Sequence, residues 1–162
     1  MKIIVSEIKQ GNAPLIIEDE IIFDKKDYEQ VFSLRKIEKV KVKAECANYG
    51  ELINIDVHVE ANLVLQCAYT LQDVDYFLKI EDTLEFSNEP LDEEIFEITG
   101  NEINLDKFIL ELIIANIPLR VIKKGAKLPK VKGVQVLSQD EFEAQNKDKL
   151  DPRLSALDDW EE

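Results

Sequence analysis

From position 53 the chain alternates apolar and polar residues for fifteen positions. Ile53, Ile55, Val57, Val59, Ala61, Leu63, Leu65 and Cys67 share one parity. Asn54, Asp56, His58, Glu60, Asn62 and Gln66 hold the other, with Val64 the single apolar exception. A period of two sends successive side chains to opposite faces of a strand and does not suit an amphipathic helix. At about 3.3 Å per residue such a strand runs about 46 Å, longer than most. A bend or bulge is therefore expected near Glu60 to Asn62, dividing the run between two parts of a curved sheet.

Weaker alternations flank this run. Residues 14–23 read as strand or extended chain, and Val40, Val42, Ala44 and Cys46 alternate with Lys41, Lys43 and Glu45 as a half-buried strand. Asn48-Tyr49-Gly50-Glu51 supplies a turn. Val74, Tyr76, Leu78 and Ile80 mark another strand from about 73 to 86, and Ile95 to Ile98 a shorter one. Strands in succession with short polar connections favour antiparallel pairing.

The pattern changes after Asn104, which is suited to cap a helix beginning at Leu105, with Asp106 in the first turn complementing the helix dipole. Leu105, Phe108, Ile109, Leu112, Ile113 and Asn116 have the spacing of a buried helical face, and Pro118 ends it. Ser138 and Glu141 match a capping box before a short helix through about 146. Asp151-Pro152 reads as a helix start for a last turn or two carrying Leu154 and Leu157. The fold class expected is α+β: a curved antiparallel β-sheet packed on one buried C-terminal helix, with short peripheral helices in the tail. A single domain over 1–162 is expected, with 119–137 a mobile basic loop and 138–162 a helical, acidic tail.

Composition adds a charge layout. The 162 residues hold 34 acids against 20 Lys and Arg, a net charge of -14, which opposes coating nucleic acid or anionic membrane with the whole surface. Between Glu81 and Asp106 lie ten acids and no base; between Leu119 and Val136 lie six bases and no acid. The bases Arg120, Lys123, Lys124, Lys127, Lys130 and Lys132 suit sequence-blind contact with RNA phosphate. The alternative is a solvated loop lying against the chain's own acidic block. The acids Glu89, Asp92, Glu93 and Glu94 suit docking of a basic partner, or simply solubility. The first residues lack the apolar run of a signal peptide, and no stretch reaches the ~20 residues of a membrane span, so a cytoplasmic protein without membrane partner is expected.

Candidate chemistry is sparse. The single histidine, His58, sits on a polar strand face and reads as a surface residue. Cys46 and Cys67 fall on apolar faces and read as small core residues; with His58 they form no metal-ligand spacing. No phosphate loop, nucleophile elbow or dinucleotide fingerprint is present. No catalytic residue, metal or cofactor is assigned, and no enzyme is expected.

Leu63-Val64-Leu65-Gln66-Cys67-Ala68-Tyr69-Thr70-Leu71, continuing to Asp73-Val74-Asp75-Tyr76, resembles the hallmark region of the YceD family, the large ribosomal RNA subunit accumulation proteins, also known as a domain of unknown function. Leu105 to Pro118 resembles that family's buried helix and following turn, and Asp151-Pro152-Arg153-Leu154-Ser155-Ala156-Leu157 its closing motif. The blocks come in the family's order across about residues 40 to 158. Tyr69 stands where the family has arginine, Thr70 where many members have a second cysteine, and the lysine-rich stretch where cysteines often follow the helix. The resemblance implies a cytosolic bacterial protein acting in ribosome biogenesis. Its partner would be the large-subunit precursor, through a basic ribosomal protein or 23S ribosomal RNA. A direct RNA-binding module acting through the basic loop, or an RNA-processing hydrolase, are the alternatives. The matched positions Cys67, Leu71, Pro118, Asp151, Pro152 and Leu157 read as fold determinants: a core cysteine, core leucines, a helix stop and a helix start. Oligomeric state stays open, since an uncovered edge strand can pair between chains.

Overall fold

The computed structural model describes residues 1–128 except 12, 91 and 93, then 136–137 and 139–146, with side chains given for 141–144 of the last stretch. The fold is mixed α+β and strand-rich. Five strands form one sheet in the order β2 (Leu15–Ile21), β3 (Leu34–Tyr49), β4 (Leu52–Gln66), β5 (Asp73–Ser87) and β6 (Ile95–Glu97). A separate two-stranded ribbon pairs β1 (Lys2–Ile4) with β7 (Glu102–Asn104). The helices are α1 (Val5–Gln10), α2 (Asp106–Ala115) and α3 (Gln139–Asn146).

The three long strands carry the fold. All the apolar-parity residues of β4 are buried, and those of the polar parity are exposed in mid-strand and half-buried towards its ends. The β3–β4 hairpin turns through Gly50-Glu51. Gly50 takes the left-handed φ of 84° that a two-residue turn needs at its first central position, and its amide donates to Asn48 Oδ1.

No bulge lies in β4 at Glu60 to Asn62: β4 pairs without interruption along its whole length with β5. The irregularity lies in its other neighbour. β3 shifts register between Leu34 and Lys36 and again between Ile37 and Lys39, opposite β4 residues 62–65. Each shift adds one residue to β3, so an inward position recurs after three residues instead of two. That is why Leu34, Ile37 and Val40 are all buried at a spacing of three, before Val42, Ala44 and Cys46 resume a spacing of two.

Two further expectations are corrected. β6 runs parallel to β5, pairing Ile95–Glu97 with Glu85–Ser87, because the 88–94 connection returns the chain before it re-enters the sheet. At the start of helix α2 Asn104 acts as the expected cap: Leu105 is already in helical geometry, and Asn104 Oδ1 accepts the Asp106 amide. Its inward residues Ile109 and Ile113 are fully buried, and the Phe108 ring meets Phe86 edge-on and Phe96 at a tilt. Asn116, expected on the buried face, is exposed: the helix ends at Ala115 and Asn116 Nδ2 donates back to the Leu112 carbonyl. Ser138, Asp151, Pro152, Leu154 and Leu157 lie outside the described residues.

Candidate functional site

A knot of hydrogen bonds forms where β4 gives way to β5. Residues 66–72 make a tight turn: the Cys67 amide donates to the Gln72 carbonyl, the Leu71 amide to the Cys67 carbonyl, and Gln66 Nε2 to the Leu71 carbonyl. Leu71 takes a left-handed φ of 58°, costly for a residue with a branched side chain. The chain leaving α2 returns here. The Ala68 amide donates to the Val121 carbonyl, and the Lys123 amide points at Cys67 Sγ, 3.3 Å away. Pro118 therefore sits in the passage from helix to turn, three residues past the last helical residue rather than at the stop itself.

The two cysteines respond oppositely to their surroundings. Burial pushes the Cys46 thiol up to about 11. Cys67 is also fully buried, yet its thiol is held down to about 6 from an ordinary value of 9.0. The Lys123 amide contributes most, followed by the Thr70 hydroxyl, and these donors outweigh desolvation. Leu71, expected as a core leucine, is a correction: its backbone turns the side chain outward and leaves it exposed.

The same contacts anchor part of the basic stretch. The Arg120 guanidinium lies 5.0 Å from the Tyr69 ring centroid. Lys123 Nζ donates to Gln72 Oε1 at 3.2 Å. The following turn places Gly125 at φ 80° and closes with the Ala126 amide on the Lys123 carbonyl. Lys124 and Lys127 are exposed beside them. Arg120, Lys123, Lys124 and Lys127 thus gather at one end of β5, while Lys130 and Lys132 lie outside the described residues.

The acidic stretch sits at the other end. Glu89, Asp92 and Glu94 are exposed in the connection that follows β5, where Ser87 Oγ accepts the Glu89 amide and the Asp92 carbonyl accepts the Ile95 amide. Glu93 lies outside the described residues. β5 is fifteen residues long, an extended contour of about 46 Å. The bases next to the 66–72 turn consequently do not lie against Glu89, Asp92 and Glu94.

Strand register also assembles a surface that single-strand patterns do not show. On the polar face, Glu18, Lys43, His58 and Glu81 form one cross-strand row, and Glu20, Lys41, Glu60 and Lys79 the next. His58 Nδ1 is 3.5 Å from Glu81 Oε1, on an exposed surface as its strand position predicts. Charges alternate in sign along the second row, and the shallow depression there is lined by Glu18, Asp19, Glu20 and Glu60 against Lys41, Lys43 and Lys79, so it carries little net charge to select a ligand. Among the described residues no group of three His, Cys, Asp or Glu side chains is arranged to hold a metal ion. No described helix is long and apolar enough to cross a membrane.

The sequence profile of the family described as "Large ribosomal RNA subunit accumulation protein YceD" matches residues 55–160. The match starts within β4 and takes in the 66–72 turn, β5, α2 and the basic stretch. The chain is also similar to "Uncharacterized protein YlbN" of Bacillus subtilis (strain 168). The two are 26% identical over 134 residues, which cover 77% of this chain and 76% of that protein. No solved structure matches the chain.

Proposed function

We propose, from the premise that this chain belongs to the YceD family, that it is a cytoplasmic, non-enzymatic factor in maturation of large-subunit ribosomal RNA. It acts by holding two partners at once: RNA phosphate at the basic end of β5, and a basic ribosomal protein at the acidic end. The observation that carries this reading is the separation of the charges. Exposed bases gather at the 66–72 turn, exposed acids follow Ser87, and about 46 Å of strand lies between them. A protein of net charge -14 repels RNA as a whole, but at physiological ionic strength a charge is screened beyond about 8 Å. A local basic cluster is therefore usable despite the overall sign.

The test is sedimentation of tagged protein from lysate on sucrose gradients at low and moderate salt. Wild-type protein should migrate with 50S precursors and leave them as salt rises. A variant with Arg120, Lys123, Lys124 and Lys127 changed to Gln should lose RNA crosslinks. A variant with Glu89→Gln, Asp92→Asn and Glu94→Gln should lose protein crosslinks. If both variants sediment and crosslink like wild type, neither end is a binding surface and the reading fails.

A further inference from the structure

Beside the Cys67 sulfur, the 66–72 turn and the returning 118–121 segment enclose an apolar pocket of about 210 Å³. Leu65 and Cys67 contribute to its floor, and Phe32, Leu71 and Leu119 line it. Those three lining side chains are 91%, 66% and 106% exposed. One exposed apolar residue is ordinary; three gathered on one hollow mark an interaction site. The unfavourable backbone of Leu71 holds its side chain at this surface. Arg120, Lys123 and Lys124 follow the pocket in the chain, exposed, so the fitting occupant is an apolar anchor carried on an acidic segment.

We propose that this pocket is the docking site of the chain's own C-terminal stretch, residues 151–162. That stretch supplies Leu154, Leu157 and Trp160 as anchors, and five acids (Asp151, Asp158, Asp159, Glu161 and Glu162) against the single base Arg153. Twenty-two residues separate Leu128 from Asp151, enough chain to return to the turn from which it left. The entropic cost of closing such a loop rises only slowly with its length. Tethering also gives the segment an effective concentration in the millimolar range, so weak contacts suffice. The docked tail places carboxylates beside the bases that face RNA in the reading above. It acts as an internal competitor that dissociates when a stronger polyanion arrives. The docking itself does not depend on that reading.

Trp160 is the only tryptophan, so its fluorescence reports the tail directly. The experiment compares emission maximum and acrylamide quenching of the full chain with those of a free peptide of residues 147–162. Wild-type protein should emit to the blue of the peptide and be quenched less, equally at all protein concentrations. Leu119→Ser, Leu71→Asn and the pair Arg120→Glu with Lys123→Glu should each move both readings to the peptide's values. Unchanged far-ultraviolet circular dichroism would show that the fold is intact. Three results overturn the proposal: wild-type emission equal to the peptide's, a blue shift that survives all the variants, or a shift that grows with concentration. The last would assign the pocket to a second copy's tail.

Discussion

If the basic end of β5 holds RNA, neutralising it should change how binding responds to salt, by an amount the structure sets. Arg120, Lys123, Lys124 and Lys127 stand together there, and among the described residues none is ion-paired with a carboxylate. All four are therefore free to displace counterions. Each phosphate neutralised contributes roughly 0.7 to the slope of log affinity against log salt for a single strand, and about 0.9 for a duplex. Four bases then account for a slope of about 2.8 to 3.6. Between 50 and 200 mM salt, wild-type affinity should fall roughly 50- to 150-fold further than that of the quadruple Gln variant. Gln keeps the length and polarity of the side chains. The main structural loss is the stacking of Arg120 on Tyr69, about 0.5–1 kcal/mol at an exposed site.

Fluorescence anisotropy with a labelled single-stranded RNA of about 20 nucleotides, titrated at four salt concentrations, measures both slopes. The control is the variant with Glu89→Gln, Asp92→Asn and Glu94→Gln, which makes the net charge three units less negative. Those acids lie about 46 Å along β5 from the bases, several times the Debye length of about 10 Å at 0.1 M salt. Its slope should therefore match wild type. Equal slopes for wild type and the basic-end variant would refute the reasoning. So would a change in the acidic-end variant as large as that in the basic one, because the overall field rather than a local cluster would then govern binding.

Three further outcomes follow from the fold. Leu65→Ala, at a fully buried position under the pocket, should destabilise the protein by about 3–5 kcal/mol in urea unfolding, and a loss below about 1 kcal/mol would show that β4 is not core there. Gly50→Ala should cost about 1–2 kcal/mol through its left-handed φ alone, because no atom lies within 4 Å of the new Cβ; an unchanged urea midpoint would contradict the turn geometry. For Cys67, a thiol held down to about 6 stabilises the folded state fully above its ordinary value of 9.0, and this contribution fades as pH falls through 6. The stability advantage of wild type over Cys67→Ala should therefore shrink steadily from pH 9 to pH 5. A difference independent of pH would mean that the sulfur stays protonated.

What could be read from the chain, and what could not, divides along a physical line. Period-two alternation is a property of one strand, so β4 and β5 are visible residue by residue. Register belongs to pairs of strands, and the two extra residues in β3 leave only the trace Leu34, Ile37, Val40, a spacing of three that resembles a helix as much as a bulged strand. Direction depends on the path of the connection, which is why β6 reads as antiparallel in sequence and is parallel in space. Leu71 reads as a core leucine from its place in the family motif, but a single left-handed backbone conformation reverses that assignment. Tyr69 and Thr70, which depart from the family pattern, show their contacts only once 120–123 has folded back: Tyr69 beneath Arg120, and Thr70 beside the Cys67 sulfur.

The charged blocks combine both cases. Their composition is plain in sequence, and their separation is implicit in it: a strand predicted over 73–86 with acids after its end already places those acids about 45 Å from its start. The missing step is the return of the basic stretch to that start. It depends on main-chain donors, the Ala68 amide on the Val121 carbonyl and the Lys123 amide on the Cys67 side-chain sulfur, whose pairing no hydrophobic or charge pattern encodes. The charges are written in the side chains, but main-chain donors and one buried sulfur assemble the site. Substitutions at Cys67 or Thr70 should therefore alter the presentation of Arg120 and Lys123 without touching either base.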